Sequence, residues 1–324
     1  MNRWLWLITG VAIVVAMEPM AHAGDGNMLQ RAAGRCKAPD RSQVRIQGGT
    51  FLMGSEEFHD EEGPIHRVTV STFWIDRFDV TNAQFAQFVR ATGYVTDAER
   101  KPNPKDYPEV SPDKLIAGGA VFSPPSGGKP PEEDMEWWQF VSGADWRHPH
   151  GPKSSIVGHD NEPVVQVSYN DALAYTHWAG RELPTEEQYE YAARGGLDGK
   201  RYAWGDELTP GGKWMANVWQ GDFPSRNTAK DGYSGIAPVG CFPPNGYGLY
   251  DMVGNVWKWT SSLYTPQAEK PSPAARVVRT IKGGSFMCSV NYCQRFRPAA
   301  RQPQESGFSS AHLGFRTVSN QPPQ

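Results

Sequence analysis

Four cysteines, Cys36, Cys241, Cys288 and Cys293, carry most of the chemistry that this 324-residue sequence could perform. Four cysteines admit three disulfide pairings, and spacing alone does not choose among them. Cys288 and Cys293 stand apart because they directly follow Lys282-Gly283-Gly284-Ser285-Phe286-Met287. Paired glycines let a backbone turn sharply or approach another segment closely, which is a poor setting for a purely structural staple. Two thiolates five positions apart on a turn can converge on one ion, and soft sulfur donors select Cu(I) over hard cations. They can equally cycle between dithiol and disulfide. Zinc fits less well, since a closed zinc site needs about four ligands and no histidine stands at the usual spacing from this pair.

The elements that must hold such a turn are short. The composition, with 34 Gly, 27 Pro and 12 Trp against 39% hydrophobic residues, favours many turns pinned by large aromatic side chains. A formal net charge of −3 shows no basic surplus, so nucleic acid is excluded as a partner class. Gly48 to Gly54 and Val68 to Ile75 read as strands from their β-branched and aromatic content, with further strands over Val164 to Val167, Val278 to Ile281 and Phe315 to Val318. Three helix starts are written in capping residues: Thr81 with Gln84, Ser168 with Asp171, and Thr185 with Gln188. Phe85, Phe88 and Val89 give the first helix an apolar face, as Ala172, Tyr175 and Trp178 do the second, and Gly195-Gly196 stops the third. Residues 101 to 135, dense in Pro and Gly, read as a surface loop. The sum is an α+β domain with few helices, a small twisted antiparallel sheet and long ordered loops, which at that length are usually functional or held by ions.

Arg3, the apolar run from Trp4 to Met17 and the small-residue ending Ala21-His22-Ala23 have the form of a secretory signal peptide over residues 1–23, with cleavage expected after Ala23. A polar tail over 24–44 and one catalytic domain over 45–320 follow. No later stretch reaches the roughly 20 apolar residues of a membrane span, so no membrane association is expected after cleavage. The chain is expected to be exported, to the bacterial periplasm or beyond, and to be monomeric.

The stretch Gly283-Gly284-Ser285-Phe286-Met287-Cys288, Tyr292-Cys293, Arg295-Phe296-Arg297, Ala299-Ala300-Arg301 and Leu313-Gly314-Phe315-Arg316 closely resembles the active-site region of the formylglycine-generating enzymes, the sulfatase-modifying factors. Upstream segments match too, among them Gly49 to Gly54, Trp146-Arg147-His148-Pro149, Trp178-Ala179-Gly180, Ala216 to Gly221, Pro243 to Tyr250 and Val253-Gly254-Asn255-Val256-Trp257, so the resemblance covers about residues 45 to 318. It implies a fold related to C-type lectins and an activity: oxidation by O2 of a cysteine in a sulfatase Cys-x-Pro-x-Arg segment to formylglycine, on an unfolded or nascent sulfatase polypeptide. It implies Cys288 and Cys293 as Cu(I) ligands, Ser285 and Tyr292 beside them, and Trp257 as a pocket wall. It implies calcium at Asn217, Val218, Asp231 and Tyr233, and a second calcium at Asp251, Gly254 and Val256, where Lys258 replaces the usual acidic member and its ammonium would repel or substitute for the ion. Two disulfides frequent in the family are missing at Thr176 with Thr317 and Ala193 with Pro298, leaving Cys36 and Cys241 free to pair. His312 stands where the family usually has Asn and reads as a surface histidine.

Rival readings are another oxidase on the same fold, as in siderophore maturation, a metal-free thiol oxidase, and a non-catalytic binding module. An iron-dependent sulfoxide synthase would need a His-x-x-x-His-x-Glu motif, which is absent. A binding module has no need of two thiols beside Gly-Gly-Ser, and fold alone does not decide function.

Overall fold

A computed structural model describes residues 36–108, 110–124, 137–264 and 277–322. The expected signal peptide and most of the expected N-terminal tail lie outside the described residues. Strands β1 (Gln43–Ile46), β2 (Gly49–Met53), β3 (His66–Val70) and β4 (Phe73–Asp76) come first, then helix α1 (Asn82–Thr92), strands β5 (Gly118–Phe122) and β6 (Trp138–Ser142), and helices α2 (Tyr169–Ala179) and α3 (Glu186–Arg194). Strands β7 (Trp257–Leu263), β8 (Val278–Lys282), β9 (Arg301–Glu305), β10 (Leu313–Gly314) and β11 (Val318–Ser319) follow a long stretch of loops.

The strands form small separate sheets rather than one. Their orders are β1-β4-β11, β10-β7-β8-β9, β2-β3 and β5-β6. All pairings are antiparallel except β10 with β7. The run Val68 to Ile75 therefore divides: its first half pairs with β2 and its second with β1, across a break at Ser71-Thr72. Val164 to Val167 is no strand. It is a buried irregular segment in which Gln166 adopts a φ of 56°, and burial without an alternating pattern misled the sequence reading. Of Phe315 to Val318 only Val318 is in a strand, at the start of β11; β10 ends before the run at Gly314, and Arg316 between them is irregular and fully buried. The Pro- and Gly-rich stretch contributes β5, paired in register from Gly118 with Ser142 to Phe122 with Trp138.

The three helices begin where their caps were read. Thr81, Ser168 and Thr185 each accept from the backbone amide three residues on, while the side chain at that position reaches back, satisfying two otherwise unpaired donors. Each helix ends in a left-handed glycine, Gly93, Gly180 or Gly195. A single large cluster packs α1 and α2 with Trp146, Trp257, Trp259, Ile281, Phe296 and Phe315, and Cys288 is part of it. The tail is fastened to the domain by a Cys36–Cys241 disulfide.

Candidate active site

β8 delivers the chain into the thiol-bearing turn. Its last residue, Lys282, is fully buried, with its ammonium on Glu190 at 2.9 Å and on the Ala299 carbonyl at 3.1 Å. Beyond it Gly283 has a φ of 91°, and a Cβ there would lie 2.6 Å from the Tyr189 hydroxyl. A Cβ on Gly284 would lie 2.5 Å from the Arg295 carbonyl oxygen. The glycine pair thus does what its sequence suggested: it lets the start and the end of the thiol segment pass at backbone contact.

The far end is clamped as well. Arg297 is buried and holds Glu62 through two bonds of 2.5 and 2.6 Å, the bidentate geometry that fixes direction as well as distance. Arg295 pairs with Glu61 at 2.6 Å, and His59 Nε2 bonds the Cys293 carbonyl at 2.7 Å. His59, Glu61, Glu62, Glu190 and Lys282 were not singled out from sequence. Acid–base partners 235 residues apart leave no local signal.

Cys288 and Cys293 are not disulfide-bonded, and their sulfurs hydrogen-bond each other. They differ in acidity. Burial pushes the Cys288 thiol up, and its role as donor to Cys293 pushes the same way. Burial opposes ionisation of Cys293 too, but the Cys288 S–H, the backbone amides of Arg295 and Ser289 and the Arg295 charge outweigh it, so Cys293 lies below the ordinary thiol range. Cys293 is the more acidic member of the pair, and Cys288 is its hydrogen-bond donor. Among the described residues no His, Asp or Glu completes a three-ligand cluster, so a metal here would have two sulfur donors from the protein, a set that suits Cu(I) and not a closed zinc site.

Trp257 is buried in the same apolar cluster as Cys288, with Cys293 packed against its edge. Ser285 is fully buried; its Oγ accepts from the Met287 amide at 3.3 Å and lies 3.1 Å from His312 Nδ1. His312 is therefore half-buried rather than a free surface histidine. Its ring meets Trp138 edge to face at 4.7 Å, and burial alone brings its pKa down to about 3. Tyr292 is 45% exposed and stacks on Phe223 at 4.3 Å, with Trp137 edge-on at 5.5 Å. With Phe122 and Trp138 these rings make an aromatic rim against Phe286 and Met287. Trp137 and Phe223 were missed in the sequence, where they border long loops.

The residues expected at calcium do meet. Asp231 accepts the amides of Val218 and Tyr233, each at 3.0 Å, and burial raises its pKa. Asn217 gives its side-chain N–H groups to Gly235 and Asn255, which leaves its amide oxygen buried without a donor. An orphaned oxygen beside a buried carboxylate is a donor set for a hard cation. The second expected site is already filled from within: Lys258 Nζ donates to the Asp251 carbonyl at 2.6 Å and the Gly254 carbonyl at 2.9 Å, and Asp79 lies 3.5 Å away. A divalent ion does not fit at Asp251, Gly254 and Val256.

Loop-dominated architecture, a two-cysteine turn and an aromatic rim define a class of protein. The family model for the sulfatase-modifying factor enzyme 1-like domain matches residues 30–321, and this chain belongs to that family. It is 50% identical over 291 residues to the formylglycine-generating enzyme of Mycobacterium tuberculosis, covering 86% of this chain and 97% of that one. It is 48% identical to the formylglycine-generating enzyme of Streptomyces coelicolor over 86% and 90% of the two chains. A mouse protein named inactive Cα-formylglycine-generating enzyme 2 is 42% identical over 87% of each chain. Among solved structures, PvdO from Pseudomonas aeruginosa superposes with a TM-score of 0.56 at 24% identity, over 86% of this chain and 93% of that one. At that identity it shows the fold alone, the α+β formylglycine-generating-enzyme type with few helices and small sheets.

Proposed function

We propose that this protein oxidises a cysteine in a Cys-x-Pro-x-Arg segment of an unfolded sulfatase polypeptide to Cα-formylglycine, using O2 and Cu(I) held by Cys288 and Cys293. The observation that carries the reading is the free, mutually hydrogen-bonded thiol pair. Relatives named formylglycine-generating enzyme and relatives named inactive both match most of the chain, so family membership alone does not fix the activity. Copper bound there would supply the redox chemistry with dioxygen and a seat for the client's sulfur.

The chain's own residues do the rest. Cys293, the more acidic thiol, would be the first to ionise toward a metal, and Cys288 would release its proton to solvent on binding. The Arg295 guanidinium offsets the accumulated negative charge. Ser285 presents a fixed hydroxyl beside the pair. Trp257 closes the site from the core side, while Tyr292, Phe223 and Trp137 offer flat apolar faces that exclude water and suit an extended, unfolded client. Calcium at Asn217, Val218, Asp231 and Tyr233 steadies the loop behind Cys288. Export follows from the N-terminal segment, so the client is met outside the cytoplasm, and the enzyme acts as a monomer. No described helix is long and apolar enough to cross a membrane.

The test is conversion of a Leu-Cys-Thr-Pro-Ser-Arg peptide by purified protein under oxygen, followed by mass. Copper-dependent replacement of the thiol by an aldehyde is expected. An unchanged peptide with copper present would remove the proposal.

A further inference from the structure

The bond between the buried Ser285 and the half-buried His312 is not explained by packing. Ser285 Oγ has two partners among the described residues, the Met287 amide at 3.3 Å and His312 Nδ1 at 3.1 Å. The amide can only donate. If Nδ1 also donated, the fully buried hydroxyl would accept twice and its own proton would have no acceptor, an arrangement buried groups avoid. The remaining arrangement has the hydroxyl donating to Nδ1, which places the proton of a neutral imidazole on Nε2. The ring has little freedom to leave. Its backbone carbonyl accepts from the Trp257 amide at 2.8 Å, and Trp138 packs against its edge at 4.7 Å.

We propose that His312 is a positioning residue for Ser285: its unprotonated Nδ1 accepts the Ser285 hydroxyl and, with the Met287 amide on one lone pair of Oγ, leaves only the other to meet the S–H of an incoming client cysteine. The inference deepens the oxidase reading above and rests on it for the client's identity. It assigns His312 no direct contact with the reacting atoms. Met287 and His312 together set the direction of one hydroxyl, much as an orienting residue sets a histidine tautomer in other sites.

Two measurements on the full-length protein test it. In ¹⁵N-histidine-labelled protein, His312 is expected as the Nε2–H tautomer, with an Nδ1 resonance that moves in Ser285→Ala. For the peptide substrate, His312→Leu and Ser285→Ala are each expected to lower kcat/KM by about tenfold, the factor one ordinary hydrogen bond supplies, with no further loss in the double variant. His312→Asn retains a hydrogen-bonding atom at the δ position and is expected to stay within about threefold of the parent. An Nδ1–H tautomer, an Nδ1 resonance indifferent to Ser285, or losses that multiply in the double variant would overturn the assignment. Should the parent convert no peptide, the oxidase reading fails while the tautomer measurement still decides the Ser285–His312 bond.

Discussion

Two loops brace the thiol turn from behind, and they solve the same electrostatic problem differently. The loop at Asn217 reaches the turn through the Trp219 amide on the Cys288 carbonyl at 2.9 Å. The loop at Gly254 reaches it through the Gly254 amide on the Gly283 carbonyl and the Phe286 amide on the Asn255 carbonyl, both at 2.8 Å. Asn217 and Asn255 join the loops side chain to side chain at 2.9 Å. Each loop turns oxygens inward. In the second, the Lys258 ammonium satisfies them; in the first, the Asn217 oxygen has no donor and the Asp231 carboxylate accepts backbone amides, and these are the oxygens proposed above for calcium. A tethered charge cannot be lost to a chelator, while a captured ion can. One support should therefore be constitutive and the other conditional.

Replacing the tethered charge should have the largest effect. Lys258→Met leaves Asp79 with one cation fewer and two buried carbonyls unpaired, and should destabilise the fold by about 3–5 kcal/mol in urea unfolding, as loss of one partner of a buried pair does. A loss under about 1 kcal/mol would show that Lys258 is not the support. Lys258→Glu sharpens the contrast: set among Asp79, Asp251 and carbonyls, the new carboxylate should make folding depend on added calcium. If it folds equally well with chelator, the two loops are not alternatives of one kind.

Calcium should come next. At 100-fold excess over its dissociation constant, a ligand that binds only the folded state adds about 2.7 kcal/mol. The parent's melting temperature should rise with calcium to that extent, and Asn217→Ala should abolish the rise. An unchanged melting temperature in the parent would leave the Asn217 loop without its ion. Thr185→Ala is the control remote from both loops: losing the α3 cap should cost about 1 kcal/mol, equally with and without calcium.

A last effect is one of pH. Burial, reinforced by the Asp79 charge, raises Asp251 to about 6 against the Gly240 amide and the Lys258 and Arg316 charges. A carboxyl whose folded pKa lies above its unfolded value of 3.8 stabilises the fold below that unfolded value, and the contribution is lost as pH rises through the folded pKa. Between pH 4 and 6 the parent should therefore lose stability relative to Asp251→Asn. A difference that stays flat across that window would mean the Asp251 charge is compensated in place.

Local chemistry was legible and long-range chemistry was not. Helix caps, the Gly-Gly turn and the thiol pair are written in residues adjacent in sequence, so spacing exposes them. The Arg297–Glu62, Lys282–Glu190 and Arg316–Asp79 pairs depend on how loops fold back, which no periodicity encodes. His312, read as a surface residue, is half-buried, because a polar residue beside Leu-Gly-Phe-Arg gives no sign that Trp138, 174 positions earlier, will pack against it. Lys258 was the opposite case: its charge among expected cation donors was already visible as a conflict, and the structure resolves it by substitution.

The central claim is that the chemistry resides in two thiols sharing one soft metal ion. Anaerobic titration with Cu(I), comparing the parent with Cys288→Ser and Cys293→Ser, tests it most directly. One tight equivalent in the parent, lost in both variants together with peptide oxidation, is the predicted result. Tight binding that survives either substitution, or peptide oxidation by a variant that binds no copper, would contradict it.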